Sequence, residues 1–314
     1  MNTMSTALVG HTGFVGSNIL RSANQNITHM YNSKNINNAF GLSPDVLIYA
    51  GLKAEKYIAN TNPSNDLREI LKAQENITKI NPKKIIFIST IDVYQTNVSV
   101  SESSSMQIYG AKEPYGKNRL LMEYWIKNNF KDAYIIRLPA LFGENLKKNF
   151  IYDMLHPIPN KLTLDKLKSF NDPYIFSCYE KSRDNHFFEL KRLPSERLRV
   201  LKSAFTQVGF NSLCFTDSRS VFQFYPLYRL WEDILSAVKH NIHLLNLVTE
   251  PISANELYFF IYNKEFKNYI KDDYPVYNFK TDYSNKFNGT NGYIMKKDNV
   301  LSLIKNYVLS GRSF

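Results

Sequence analysis

Tyr115 and Arg119 lie four residues apart, directly after Pro114, at the start of a predicted helix over residues 115–129. This spacing places both side chains on one face of the helix. The cation favours the tyrosinate and is expected to lower the phenol pKa from about 10 toward the working pH. Thr90 ends a predicted strand, where its hydroxyl can hold a substrate oxygen. The three residues predict a general acid/base for hydride transfer at a carbinol carbon.

Three glycines follow the first predicted strand, residues 5–10, and precede a predicted helix over residues 14–23. At this spacing they let the backbone turn tightly off a strand and approach a pyrophosphate, which the free N–H groups of the helix then bind. A turn with a helix packed on it is the alternative, but the place after a first strand favours a dinucleotide. The predicted cofactor contacts here are Gly10, Thr12, Gly13, Phe14, Val15 and Gly16.

The end of the second predicted strand, residues 27–31, bears on the choice of cofactor. In dinucleotide-binding folds an acid at this place holds the ribose hydroxyls of NAD. The chain has Asn32, Ser33 and Lys34 there, and no acid. Ser33 and Lys34 could accept a 2′-phosphate, although a loop facing solvent would also be polar. We therefore predict NADP in preference to NAD, with these three residues at the ribose.

Composition restricts the class of protein. The 314 residues carry a net charge of +11, but the lysines are mixed with acids and no basic block of five occurs. This spread favours a polyanionic ligand such as a nucleotide diphosphate over nucleic acid. No run approaches the ~18 apolar residues of a membrane span, and a secretory signal pattern is absent. Cys178 and Cys214 form neither a disulfide framework nor a metal cluster, so we expect a cytoplasmic protein without a metal.

Strands alternate with helices up to about residue 150, which predicts an α/β fold with a doubly wound parallel sheet of the Rossmann type. We expect a dinucleotide-binding domain over residues 1–156. A mixed segment, 157–314, should contribute a smaller carboxyl-terminal substrate lobe and pack back on the first domain. The other predicted strands are 45–50, 84–90, 134–138, 222–225 and 244–248, and the other predicted helices are 64–79, 195–208, 227–240 and one capped by Ser253 and Glu256.

A set of ordered motifs resembles the extended short-chain dehydrogenase/reductase family, in its branch of sugar-nucleotide epimerases, dehydratases and reductases. The motifs are Gly10–Gly16, Tyr49–Gly51, Ser89–Tyr94, Pro114–Gly116, Arg137–Gly143 and Ile252–Leu257. The resemblance implies that Tyr115 is the acid/base and Thr90 the catalytic hydroxyl, with Ala50, Gly51 and Pro139 as further cofactor contacts. It also implies a cofactor, NADP or NAD, and a nucleotide-sugar substrate, and it is compatible with a homodimer.

The chain departs from that family in both catalytic segments. Arg119 stands where the family has a lysine. Arginine keeps the charge and can hydrogen-bond the nicotinamide ribose, but it does not give up a proton. The site is therefore either catalytic or a disabled site that still binds cofactor, as in a regulatory or accessory protein. Dehydratases of the family have two acids after the catalytic threonine, whereas Ile91 and Asp92 follow Thr90, which disfavours elimination of water.

Four residues are predicted to contact the substrate, and each has a plainer alternative. They are Asp92, Lys148, Asn149 and Arg219. Asp92 could be an ordinary turn residue, Lys148 a solvated lysine, and Arg219 the partner of a local acid. The predicted reaction is the reduction of a keto-sugar or an epimerisation by oxidation and reduction.

Overall fold

The computed structural model describes residues 4–104, 110–182 and 186–310. Thirteen strands lie in this part of the chain: β1 (Thr6–Val9), β2 (His29–Tyr31), β3 (Val46–Tyr49), β4 (Lys84–Thr90), β5 (Ala133–Leu138), β6 (Ala140–Phe142), β7 (Lys161–Leu162), β8 (Tyr179–Lys181), β9 (Phe188–Leu190), β10 (Val221–Phe222), β11 (Phe224–Pro226), β12 (Leu244–Asn246) and β13 (Ile252–Ser253). The helices of the same part are α1 (Phe14–Ala23), α2 (Lys56–Thr61), α3 (Pro63–Ile80), α4 (Pro114–Asn129), α5 (Phe150–Leu155), α6 (Leu164–Ser169), α7 (Pro173–Ser177), α8 (Ser195–Gln207), α9 (Leu230–Lys239), α10 (Ala254–Tyr262) and α11 (Lys297–Ser310).

Six parallel strands form the main sheet in the order β12-β5-β4-β3-β1-β2. The strand order reverses between β1 and β3, which is where open α/β sheets bind ligands beyond the carboxyl ends of the strands. Burial on both faces explains why β3 and β4 are continuous apolar runs. The fold is therefore the predicted doubly wound α/β type.

Helices α3 and α4 cover one side of the main sheet. The apolar residues of α3 recur at three- and four-residue intervals, as in Ile70, Ala73 and Ile77, and they are buried against the β strands together with Met122 and Ile126 of α4. This stripe fixes which face of each helix meets the sheet.

A buried ion pair fixes α4 along the sheet. The carboxylate of Glu123, on α4, accepts from Nε and Nη2 of Arg137, on β5, at 3.0 and 2.5 Å. The hydroxyl of Ser89, on β4, donates to the same carboxylate at 2.5 Å. Removing one partner of such a pair leaves a buried charge uncompensated, which typically costs about 3–5 kcal/mol. The network therefore holds the helix that begins with Tyr115 against β4 and β5.

The chain divides into two compact units. Unit 1 contains the residues up to Leu146, Val221–Ile252 and those from Pro275 onward, and unit 2 contains Lys147–Ser220 and Ser253–Tyr274. The predicted boundary at residue 156 falls ten residues beyond Leu146, and the predicted second segment is shared between the units. Strands β7, β9 and β8 form an antiparallel sheet in unit 2, beside a core that includes Leu201 and Phe205 of α8.

Predicted and observed elements agree best where the apolar pattern is long. Helix α1 and strand β4 have the predicted bounds, and Ser253 and Glu256 form the predicted capping box of α10. The predicted helix 227–240 begins at Leu230 instead, because Leu227–Arg229 forms a tighter 3₁₀ turn. The predicted strand 222–225 is two short strands, β10 and β11, which pair in different sheets.

Candidate functional site

The glycine turn after β1 is built by close backbone contacts at the switch point. Gly10 has φ +93°, and a Cβ on it would overlap the carbonyl oxygen of Ala50, which directly follows β3. A Cβ on Gly16 would overlap the carbonyl oxygen of Gly10. Both positions therefore require glycine for the fold itself. The turn brings Gly10 together with Ala50 and Gly51, as the prediction of a shared cofactor site requires.

Gly13 differs from its two neighbours in the motif. A Cβ there would lie 3.3 Å from the carbonyl oxygen of Gly10, so the backbone tolerates a side chain with a small adjustment. Gly13 is also the N-cap of α1, and no side chain caps this helix start. The first N–H groups of α1, at Phe14 and Val15, thus stay available to an anion, and Thr12 and Gly13 are exposed beside them.

The turn after β2 presents an exposed serine and lysine. The side chain of Asn32 accepts from the backbone N–H of Lys34 at 2.9 Å, and that of Asn35 accepts from the N–H of Asn32 at 2.7 Å. The turn is therefore held by its asparagines, and Ser33 and Lys34 are exposed. The main-chain carbonyl of Tyr31 accepts from the N–H of Gly10 at 2.8 Å, which places this turn beside the glycine turn.

Thr90 and Asp92 form a small hydrogen-bonded turn at the end of β4. The Thr90 hydroxyl accepts from the N–H of Asp92 at 3.2 Å and donates to Asp92 Oδ2 at 3.3 Å. Asp92 Oδ1 accepts from Nζ of Lys56, the first residue of α2, at 2.6 Å. Lys56 Nζ also lies 3.4 Å from the hydroxyl of Tyr277. Asp92 is therefore a charged turn residue with a dedicated cation, and its predicted contact with substrate stays a prediction.

Tyr115 is fixed to this turn by backbone contacts. Its N–H donates to Oδ1 of Asn60, on α2, at 2.9 Å. The next residue, Gly116, packs so tightly on the carbonyl of Asp92 that a Cβ would overlap that oxygen. The α4 start, the Asp92 turn and α2 thus form one cluster in unit 1, which contains Thr90 and Tyr115, and the catalytic roles predicted for these two residues stay predictions.

Arg119 is committed to a buried ion pair. Its Nη1 donates to both carboxylate oxygens of Asp66, on α3, at 3.1 and 2.9 Å, and its Nη2 donates to the carbonyl oxygen of Lys53 at 2.7 Å. The two charged side chains are 4% and 10% exposed. Both terminal nitrogens of the guanidinium are thereby engaged within the protein. The predicted contact of Arg119 with the ribose stays a prediction, and it has to be made from the remaining donors.

The electrostatics of Tyr115 correct one expectation. Burial raises the pKa of Tyr115 above its ordinary value, and Arg119, whose guanidinium lies 4.5 Å from the ring centroid, opposes that rise. Arg119 thus shifts the pKa in the predicted direction, but the prediction that the phenol pKa falls below its ordinary value was wrong. Desolvation is the largest effect and disfavours the tyrosinate more than Arg119 favours it. Asp92 and Asp66 raise the pKa further, because they repel a negative charge on the phenol oxygen.

The predicted substrate residues of unit 2 have local partners. The guanidinium of Arg219 donates to both oxygens of Asp217, at 3.0 and 2.9 Å, and to the carbonyl of Lys271 at 2.7 Å. The side-chain oxygen of Asn149, which has φ +114°, accepts from the N–H of Tyr152 at 3.2 Å and caps α5. Lys148 is exposed, and Pro139 of unit 1 is half-buried after β5. The roles of these residues toward a ligand stay predictions.

Sequence reasoning missed four residues of the unit 1 cluster. They are Lys56, Asn60, Asp66 and Tyr277. A detectable signal existed only for the segment containing Asp66, where Asn62 and Pro63 mark a helix start and an acid in the first turn is common. Helix α2 has six residues and no apolar period that would have revealed Lys56 or Asn60.

The described residues contain neither a cluster of metal ligands nor a membrane-spanning helix. In residues 4–104, 110–182 and 186–310, no group of three or more His, Cys, Asp or Glu side chains is arranged to hold a metal ion. Among the helices of the same residues, none has the length and apolar character needed to cross a membrane.

The sheet order, the glycine turn at the switch point and the uncapped start of α1 define a Rossmann-type dinucleotide-binding protein. The chain belongs to the family described as RmlD substrate binding domain, whose family model matches residues 4–172. This match confirms the resemblance to the sugar-nucleotide branch of the short-chain dehydrogenases/reductases.

Solved structures share the fold over nearly the whole chain at low identity. The dTDP-4-dehydrorhamnose reductase of Yersinia enterocolitica is 11% identical with a TM-score of 0.64, covering 98% of this chain and 99% of that one. The UDP-N-acetylglucosamine 4-epimerase of Methanobrevibacter ruminantium is 14% identical with a TM-score of 0.63, covering 99% and 100%. The dTDP-4-dehydrorhamnose reductase of Bacillus anthracis, solved with NADP, is 11% identical with a TM-score of 0.60, also covering 99% and 100%. No curated protein sequence matches the chain.

Proposed function

We propose that this protein is an NAD(P)-dependent enzyme that reduces a keto group on a nucleotide-activated sugar. The observation that carries the proposal is the buried Tyr115 at the start of α4, whose neighbour Gly116 packs on the Asp92 turn that holds Thr90 at the carboxyl end of β4. Burial raises the pKa of this phenol. Reduction of a ketone needs a proton donor for the new alkoxide, and a phenol whose pKa is raised is such a donor at neutral pH. Oxidation needs a base instead, which this Tyr115 provides less readily.

In this proposal different residues bind the cofactor, orient the substrate and donate the proton. The glycine turn and the start of α1 bind the pyrophosphate of the cofactor, which supplies the hydride when bound. Thr90 hydrogen-bonds the carbonyl oxygen of the substrate and orients it. Tyr115 donates its proton to the same oxygen as negative charge develops there. Arg119 limits the rise of the Tyr115 pKa and therefore acts through Tyr115, as a positioning residue.

The cofactor proposed is NADP rather than NAD. The support is the pair of exposed side chains at the end of β2, Ser33 and Lys34, whose turn is held by asparagines and leaves them available. A 2′-phosphate there would receive a positive charge and a hydroxyl, whereas no acid is present to accept from the ribose hydroxyls of NAD. The Bacillus anthracis reductase of this fold was solved with NADP.

The substrate class rests on the family and on charge. Structural neighbours are named as reductases and epimerases of dTDP- and UDP-linked sugars. The positive net charge suits a diphosphate-bearing substrate. We place the enzyme in the cytoplasm as a homodimer that serves polysaccharide biosynthesis, and the substrate contacts expected of Asp92, Lys148, Asn149 and Arg219 stay predictions. The comparisons give no support to the alternative of a disabled, accessory protein.

The test is consumption of reduced cofactor with a panel of nucleotide-linked keto-sugars. Wild type should oxidise NADPH with at least one of them, and Tyr115→Phe should lower turnover about 10²- to 10⁴-fold while binding NADPH as before. Tyr134→Phe is the matched control, because it removes another phenol hydroxyl, bonded to Asn241 at 3.2 Å near the amino end of β5. Interconversion of two sugars without net consumption of NADPH would identify an epimerase. A wild-type rate equal to that of Tyr115→Phe across the panel would leave only cofactor binding.

A further inference from the structure

Helix α2 is linked to Tyr115 directly and to Thr90 through Asp92. Lys56 and Asn60 are four residues apart on this helix and therefore share a face. Lys56 holds the carboxylate of Asp92, which bonds the Thr90 hydroxyl, and Asn60 holds the backbone N–H of Tyr115. The side chain of Lys56 keeps 40% of its surface exposed, and that of Asp92 keeps 20%. The cluster is thus reached by solvent from the Lys56 side.

The two bonds of the Asp92 carboxylate are unequal. Lys56 Nζ lies 2.6 Å from Oδ1, a short charge-assisted contact, whereas the Thr90 hydroxyl lies 3.3 Å from Oδ2. An O–H donor bound firmly to a carboxylate normally lies about 2.5–2.7 Å from its oxygen. The carboxylate is therefore engaged mainly by Lys56, and the proton of Thr90 is held only weakly. A hydroxyl has one proton to donate, so this weak bond leaves it available to a substrate carbonyl.

We propose that Lys56 is a positioning residue of this active site. By binding the Asp92 carboxylate, Lys56 prevents a short hydrogen bond from the Thr90 hydroxyl to Asp92, and the hydroxyl stays free to donate to the substrate oxygen. The inference rests on the proposed function and adds a residue to its machinery. Without Lys56 the carboxylate has no other described cation, and it is free to form a short bond with the Thr90 hydroxyl. Thr90 then donates to Asp92 and no longer to the substrate.

Lys56 also affects the pKa of Tyr115. The charged groups that face its phenol are Arg119 on its own helix, Asp66 on α3, Asp92 on the turn after β4 and Lys56 on α2. Both aspartates disfavour the tyrosinate, and both cations favour it. Each aspartate is paired with one of the cations. Removing Lys56 leaves Asp92 uncompensated, so the pKa of Tyr115 is expected to rise further.

The experiment compares Lys56→Met with Lys56→Met/Asp92→Asn in the full-length protein. Lys56→Met should lower kcat for NADPH-dependent reduction at least about tenfold, toward the 10²-fold typical of losing one hydrogen bond to a developing oxyanion. The KM for NADPH should not change. Adding Asp92→Asn to Lys56→Met should restore most of the lost rate, because a neutral amide accepts a weaker hydrogen bond from the Thr90 hydroxyl than a carboxylate does. Lys56→Arg, which keeps the cation, should retain most of the activity.

Lys79→Met is the matched control for the lost charge. Lys79 also lies 2.6 Å from a carboxylate, that of Glu75, but on the exposed side of α3. This variant should keep the wild-type rate. Equal rates for wild type and Lys56→Met would overturn the inference. So would a loss that Asp92→Asn deepens or leaves uncorrected, because Lys56 would then act by supporting the fold or by touching substrate itself.

A measurement without turnover separates this inference from the proposed function. The ionisation of Tyr115 is obtained as the ultraviolet difference titration between each protein and the same protein with Tyr115→Phe. Its midpoint should lie at higher pH in Lys56→Met than in wild type, and Asp92→Asn should reverse that change. If wild type reduces no keto-sugar, the proposed function fails, while an unchanged midpoint in Lys56→Met contradicts the coupling of Lys56 to this cluster.

Discussion

The ion pair between Arg119 and Asp66 predicts that Arg119 supports the fold as much as the chemistry. Arg119→Met removes one partner of a bidentate pair whose side chains are 4% and 10% exposed. The carboxylate of Asp66 then stays buried with only the amide of Asn118, at 2.9 Å, as a described partner. Breaking such a pair typically costs about 3–5 kcal/mol of unfolding free energy. A loss of 1 kcal/mol lowers the melting temperature by about 2–4 °C in domains of 150–250 residues. We therefore expect a decrease of about 6–20 °C.

A double-mutant cycle distinguishes the ion pair from a general effect of truncating an arginine. Asp66→Asn combined with Arg119→Met should be clearly more stable than the sum of the single losses predicts, because neither charge is left alone. Arg68→Met is the control, since Arg68 is exposed on α3 and bonds only Asn65 at 3.1 Å among the described contacts. Its effect should stay within about 0.5 kcal/mol. Urea unfolding gives all four values. Additive losses, or an Arg119→Met protein as stable as the control, would refute the assignment of the pair.

Three further predictions concern the cofactor and the acid/base. Gly13→Val should leave the protein folded, because its Cβ would meet the Gly10 carbonyl oxygen at 3.3 Å and a small shift of the turn relieves that contact, and it should abolish dinucleotide binding in calorimetry. Gly16→Ala should unfold the protein, because its Cβ overlaps the Gly10 carbonyl. An unchanged affinity in Gly13→Val would contradict the assignment of this turn. Lys34→Glu should weaken NADP selectively, and equal effects on both cofactors would show that the turn does not reach the ribose. Since burial raises the pKa of Tyr115, the reduction rate should be flat through neutral pH and fall only as the phenol ionises at alkaline pH; a fall at neutral pH would point to another proton donor.

The sheet and the glycine turn could be predicted because their signals are local. Strand β4 contains four consecutive apolar residues, 85–88, and α1 begins directly after the glycine turn, so both are recognisable from a short stretch of sequence. The glycines are required by contacts within a few residues of the turn and with Ala50. Unit 2 shows such patterns only in its longer helices, α8 and α10. Its strand β7 has two residues and its helices α6 and α7 have six and five, too short for a period to be recognised.

The charges around Tyr115 and Thr90 could not be predicted, because they come from distant parts of the chain. The spacing of Tyr115 and Arg119 shows that the two share a helix face, but it does not show that Asp66, more than fifty residues earlier, neutralises the arginine. The same holds for Lys56 and Asp92, which are 36 residues apart. A single charge near Tyr115 would lower the phenol pKa, whereas two cations that are each paired with an aspartate leave desolvation as the dominant effect. The shift of the Tyr115 pKa therefore depends on which acids the fold places beside the cations, because a carboxylate next to each cation offsets part of its effect on the phenol.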